Sequence, residues 1–160
     1  TRARISALAL LHRHLYDDHD FHSVEMRPFV EDLCVHLNLL GDGRRSERVA
    51  ITVSVDAGRL IADQAVGVGQ IITEAALNAR QHAFPDDRRG EIQVSLKMTD
   101  TDALLIIADD GLGLPASGTP TTAGVGSALI HSFAKQIGGS AEITNGAGAV
   151  VTVHFKPQFA

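Results

Sequence analysis

The sequence predicts a mixed α/β domain in which amphipathic helices are interleaved with half-buried strands. Several stretches repeat apolar residues at spacings of three and four, the period of a helix with one buried face. Others alternate apolar with small or polar residues, or fold back around a glycine-rich turn, the period of a strand. At 160 residues, one core is long enough to bury roughly 68–70% of the unfolded surface, so a single compact domain is the starting expectation.

The elements follow in order. Ile5, Leu8, Leu10, Leu11 and Leu15 give a helix over Arg2 to Tyr16, which Asp17-Asp18 ends. Phe29, Val30, Leu33, Cys34, Leu37 and Leu40 give a second, from about Arg27 to Leu40. Gly41-Asp-Gly43 and the charged Arg44 to Arg48 form a loop. Val49, Ile51, Val53 and Val55 alternate as a half-buried strand. Asp63 is suited to cap a long helix that runs to Ala83 or Phe84 and stops before Pro85, and Pro85-Asp-Asp87 is a turn. Ile92–Met98 and Leu104–Ala108 are neighbouring strands across a turn at Thr99–Asp102. A helix from about Val125 to Ile137 is punctuated by Gly138-Gly139. Ala141–Thr144 and Val150–Phe155 close the chain as a hairpin around Asn145-Gly-Ala-Gly148.

Composition narrows the function. A net charge of −5, no Trp and one Tyr argue against nucleic acid, which favours basic faces and stacking aromatics. The single Cys34 precludes an internal disulfide and fits a reducing, cytoplasmic setting. No apolar run reaches the roughly 20 residues that span a bilayer, so no membrane contact by this chain is expected. The chain starts within a helical pattern and reads as a fragment of something longer.

Three motifs carry the chemistry. Glu74, Asn78 and His82 follow at i,i+4 spacing and form one polar stripe on an otherwise apolar helix. Asn78 offers an oxygen to a hydrated Mg²⁺, a hard cation that keeps several waters and is shared with substrate phosphates. Glu74, one turn earlier, is placed to orient or deprotonate a nucleophile. Asp109 follows a strand and precedes Gly111 and Gly113; a carboxylate there accepts a hydrogen bond from an adenine amine while the glycines let the backbone approach the ring. Gly124 and Gly126 open a helix whose bare N–H groups and dipole favour an anion, with Arg80 as a further phosphate contact. Taken singly, each motif has an ordinary reading: a solvated helix face, an acidic turn, a loose Gly-x-Gly. Their order along one chain decides for a nucleotide pocket.

In that order the residues resemble the ATP-binding domain of the GHKL superfamily, over about Ile51 to Phe155. Ile72-Thr-Glu-Ala-Ala-Leu-Asn-Ala-Arg-Gln-His-Ala-Phe84 is similar to its asparagine box, Asp109-Asp-Gly-Leu-Gly113 to its Asp-x-Gly-x-Gly box, and Gly124-Val-Gly126 to its second glycine box. Arg4 to Tyr16 resembles the second dimerisation helix of bacterial sensor histidine kinases of the HWE and related type. The resemblance implies a two-layer α+β sandwich of the Bergerat type, helices on a mixed sheet. It divides the chain into a helical segment over residues 1–43 (part of the dimerisation and phosphotransfer region, with its connector) and a catalytic domain over residues 44–160.

It also implies ATP and Mg²⁺ as cofactors, with Asn78 on the metal, Asp109 on adenine, and Gly111, Gly113, Gly124, Gly126, Arg80 and His82 around the nucleotide. Pro115 to Ala123 would be a mobile lid. The implied partners are a response regulator receiver domain, a phosphoacceptor-histidine helix outside this chain, and a second copy in a homodimer of the full protein. Gln81 and Ala149 depart from the family pattern: it often has a basic residue at the first position, a possible phosphate contact, and many members have Thr at the second, next to Gly148, where it supports a hydrogen bond near adenine. These departures motivate one alternative, a degenerate docking scaffold; a second, a serine kinase of the anti-sigma type, shares the pocket, and the Arg4–Tyr16 helix argues against it. His12-Arg13 superficially matches an acceptor pair, but its context makes His12 a helix-surface residue.

Overall fold

A mixed sheet of five strands, with helices laid on one of its faces, makes up the fold. The computed structural model describes residues 2–17, 22–39, 49–82, 84, 89–112 and 123–158. Along the chain run α1 (Arg2–Asp17), β1 (Ser23–Glu25), α2 (Met26–Leu39), β2 (Val49–Val55), β3 (Arg59–Ile61), α3 (Ala62–His82), β4 (Gly90–Met98), β5 (Ala103–Asp109), α4 (Ala123–Gln136), β6 (Ser140–Asn145) and β7 (Ala149–Phe155). The expected loop at 41–48, the turn at 85–87 and residues 115–122 of the lid expected over Pro115 to Ala123 lie outside the described residues, and Ala123 itself begins α4.

The strand order is β2-β4-β5-β7-β6, with β2 parallel to β4 and every other pair antiparallel. The parallel pair needs a crossover, and α3 supplies it. Alternation along each strand chooses the faces. Ile51, Val55, Ile92, Val94, Leu96, Leu105, Ile107, Val151, Val153 and Phe155 are buried under the helices, whereas Thr52, Ser54, Gln93, Lys97 and His154 face solvent. This is the two-layer α+β arrangement that the sequence predicts.

A second, two-stranded sheet pairs β1 with β3. Both strands have three residues, too short to show a period in the sequence. Arg59 holds the pair by donating to Oγ (2.9 Å) and to the carbonyl (3.1 Å) of Ser23. β3 runs straight into α3, so Asp63 lies inside the first turn and is not the residue before the helix. It still sits favourably at the positive end of the helix dipole.

α2 belongs to the same core as the sheet. Its Met26, Phe29, Val30, Leu33, Cys34 and Leu37 are buried in one cluster with strand and α3 residues. α2, assigned from the resemblance to the helical segment over residues 1–43, thus shares its core with the sheet. α1 packs on α2 and α3 through Leu10 and Leu11, and His14 Nε2 donates to Asp32 Oδ2 of α2 at 2.8 Å. Ile5 and Leu8 of α1 are exposed, and so is His12.

α4 ends as its glycines predict. Gly138 adopts φ 78°, and the amides of Gly138 and Gly139 return to the carbonyls of Lys135 (3.1 Å) and Ala134 (2.9 Å). These bonds satisfy last-turn carbonyls that the helix itself leaves bare. Gln64, only 2% exposed, then binds the chain's end to the start of α3: its Nε2 donates to the carbonyls of Ile137 (3.1 Å) and Lys156 (2.9 Å), and its Oε1 accepts the Gln158 amide (2.7 Å).

Candidate functional site

The carboxyl end of β5 anchors the site. Asp109 is its last residue, half-buried, and its Oδ1 accepts the amides of Gly111 (2.9 Å) and Ala149 (3.3 Å). Two backbone donors thus fix the direction of the carboxylate. Gly148 packs beside it: a Cβ there would overlap Asp109 Oδ1 and stand 2.5 Å from the Asp109 carbonyl oxygen and 2.7 Å from the Gly111 nitrogen. Only a glycine lets the β6–β7 turn close on the β5 end this tightly. The Asn145-Gly-Ala-Gly148 turn signal pointed at a hairpin and the resemblance put Ala149 near adenine, but neither assigned Gly148 a part in shaping the site. The Ala149 contact uses the backbone, so it does not depend on the side chain at that position.

Asp110 ties the same end to β4, since its Oδ1 accepts the Glu91 amide at 2.8 Å. The chain leaving α3 arrives here too. Phe84 is buried against Gly90, the first residue of β4, where a Cβ would overlap its ring and stand 2.7 Å from Asp110 Oδ1. Asn78 is six residues before Phe84 along the chain and lies within the last turns of α3. It is half-buried, and Glu74, one turn earlier, is 4% exposed.

α4 reaches this end by running antiparallel to α3. Gln64 bonds the Ile137 carbonyl, and a Cβ on Gly67 would overlap Ile137 and stand 3.7 Å from the Phe133 carbonyl oxygen. Moving forward along α3 therefore moves backward along α4. With both helices rising about 1.5 Å per residue, the first turn of α4 comes level with the Glu74 to Asn78 turn of α3. Gly124 and Gly126 are in that first turn. Asp109, Gly111, Gly148, Asn78 and the amino end of α4 thus gather at one end of the molecule.

Arg80 does not join them, contrary to expectation. It is 8% exposed, and its guanidinium donates to the Leu37 carbonyl and to Asn38 Oδ1 (3.1 Å) in α2. The cause is helical geometry: two residues beyond Asn78 is a rotation of about 200°, which faces the opposite side of α3. Burial lowers the Arg80 pKa from its ordinary value. Gly113 and the side chain of His82 lie outside the described residues.

The chemistry of this end is acidic, with Glu74, Glu91, Asp109 and Asp110 all near it. Among the described residues, no group of three or more His, Cys, Asp or Glu side chains could hold a metal ion. A cation at this end would therefore draw its remaining ligands from water and from a bound phosphate. No helix among the described residues is long and apolar enough to cross a membrane.

Comparison with known proteins agrees with this architecture. Residues 63–159 match the family model described as histidine kinase-, DNA gyrase B- and HSP90-like ATPase. Residues 1–40 match a model described as histidine kinase. The blue-light-activated histidine kinase 2 of Erythrobacter litoralis is 27% identical over 115 residues, which cover 70% of this chain and 33% of that protein. The chain thus spans about a third of the relative's length. Among solved structures, the histidine kinase domain of an Erythrobacter litoralis blue-light activated histidine kinase superposes with a TM-score of 0.79 at 22% identity, over 96% of this chain and 73% of that one. The histidine kinase AdeS of Acinetobacter baumannii gives 0.68 at 15% identity, over 97% and 77%. At such identities these structures show a shared fold. The family match covers more than half of the chain, and the chain belongs to the histidine kinase-, DNA gyrase B- and HSP90-like ATPase family.

Proposed function

We propose that this chain is the ATP-binding catalytic portion of a cytoplasmic sensor histidine kinase. It would transfer the γ-phosphoryl group of ATP to a histidine outside this chain, from which a response regulator receiver domain takes it. The observation that carries the reading is the Asp109 carboxylate, aimed by two backbone amides and walled by Gly148 at the end where the asparagine-bearing helix and the glycine-opened helix meet. The match of residues 1–40 to a histidine kinase model supports a histidine acceptor over a serine. A homodimer of the full protein belongs to the same reading.

Each residue then has a task. Asp109 accepts the exocyclic amine of adenine, and Gly111 and Gly148 admit the ring close to the backbone. The bare amides at the start of α4, around Gly124 and Gly126, receive phosphate oxygens. Asn78 provides an oxygen ligand to Mg²⁺, whose charge offsets the triphosphate against the carboxylates of this end. Glu74, on the same face of α3, orients the attacking imidazole. Phosphoryl transfer asks little covalent help of the protein, so positioning and charge neutralisation dominate. Incubating the full-length protein with γ-labelled ATP tests the reading. Acid-labile, base-stable label on the protein is the expected result, and acid-stable label on serine would replace it with the serine-kinase alternative.

A further inference from the structure

Arg80 occupies a costly position. Its guanidinium is buried, and among the described residues its Nε has no hydrogen-bond partner and no carboxylate pairs with it. A buried charge held this way stabilises less than an apolar side chain of the same size would. The bonds it does make are specific. Nη1 donates to the Leu37 carbonyl and Nη2 to Asn38 Oδ1, both in the last turn of α2, and Asn38 Oδ1 also accepts the Ile51 amide of β2 at 3.2 Å. One fork therefore joins α3, α2 and β2.

The place of this fork along α3 gives it a consequence. Gln64 anchors the start of α3 and Arg80 anchors its end. Between them lie the buried apolar residues Val68, Ile71, Ile72, Ala75, Ala76 and Ala79, whose burial is non-directional. Arg80 shares a turn with Asn78 and points the opposite way. Rotation or sliding of that turn would move the Asn78 oxygen by as much as it moves the guanidinium.

We propose that Arg80 is a positioning residue for the nucleotide site: its bonds to Leu37 and Asn38 set the rotation of the last turns of α3 and so hold Asn78 in place for the magnesium ion. The proposal rests on the magnesium role of Asn78 given above. Arg80 touches neither nucleotide nor metal, and acts through the helix.

The test compares nucleotide affinity with and without magnesium, by calorimetric titration of wild type, Arg80→Met, Arg80→Lys and Asn78→Ala. Arg80→Met fills much of the same space without the buried charge but leaves the Leu37 carbonyl without its donor, so the two effects oppose and its melting temperature should stay within a few degrees of wild type. Its Mg-ATP affinity should nevertheless fall roughly tenfold, as when an outer support of a metal ligand is removed, with metal-free ATP unaffected. Arg80→Lys, which can still donate to Leu37, should recover part of the loss. Wild-type Mg-ATP affinity in a folded Arg80→Met, or an equal loss with and without magnesium, overturns the proposal. Should Arg80→Met fail to fold, Asn38→Ala removes one acceptor of the fork and is judged by the same comparison. A magnesium-independent loss in Asn78→Ala would instead bring down the metal reading itself, and the positioning role with it.

Discussion

Gly148→Ala is a one-methyl perturbation of the site with a magnitude that the structure fixes. The new Cβ would stand 2.5 Å from the Asp109 carbonyl oxygen and 2.7 Å from the Gly111 nitrogen, and would overlap Asp109 Oδ1. Ordinary carbon–oxygen approaches are about 3.3–3.6 Å, so something must retreat by roughly 1 Å. Two of the three crowded atoms are backbone, which cannot swing aside as a long side chain can. The Gly111 and Ala149 amides bond Asp109 Oδ1 at 2.9 and 3.3 Å, and a shift of that size breaks at least the longer bond. Overpacking of this kind costs about 1–3 kcal/mol, and we take about 2 kcal/mol as the net effect. For a domain of this length that is a fall in Tm of roughly 4–8 °C. Because the carboxylate loses its aim, ATP affinity should drop at least about tenfold, equivalent to ~1.4 kcal/mol. Differential scanning fluorimetry and ATP titration read the two effects. A Gly148→Ala protein with wild-type Tm and wild-type ATP affinity would refute the argument that this turn and Asp109 form one packed unit.

Other consequences follow from individual contacts. In Asp109→Asn the amide oxygen can still accept both backbone amides, so stability should change by less than about 1 kcal/mol. Its amino group would face the adenine amine, and the preference for ATP over GTP should vanish in competition binding; a retained preference would remove Asp109 from adenine reading. Gln64→Ala would strand the Ile137 and Lys156 carbonyls and the Gln158 amide. Unsatisfied buried groups cost about 1–3 kcal/mol each, so denaturant unfolding should show a loss of at least about 2 kcal/mol, and a loss below 0.5 kcal/mol would contradict the clamp. Burial pushes the Cys34 thiol from its ordinary 9.0 up to about 12. The neutral thiol is favoured in the folded state, so its contribution is complete below pH 9 and is lost as pH rises toward 12. At pH 8 the folded protein should resist iodoacetamide and react only on unfolding; stoichiometric labelling of the native chain would contradict its burial.

Much of this fold can be read from spacing. The four long helices and the strands of the main sheet each span enough residues to show a period, and Gly138 marks the end of α4 because a left-handed residue is needed there. What spacing could not reveal is contact between distant segments. Ser23–Glu25 and Arg59–Ile61 are too short for a pattern, and they become strands because they pair with each other. The docking of α2 into the sheet core is likewise tertiary, and the resemblance assigned that helix to the amino-terminal segment. Arg80 shows how a site can be misread in the sequence. Nearness to Asn78 along the chain suggested a phosphate contact, whereas 100° per residue sends it to α2. Gly148 shows the reverse case, a turn glycine whose role depends on β5 lying against it.

Calorimetric titration of the folded chain with ATP, in the presence and absence of Mg²⁺, tests the account most directly. Magnesium-dependent binding of ATP is the predicted result. A folded chain that binds no adenine nucleotide under either condition would contradict it.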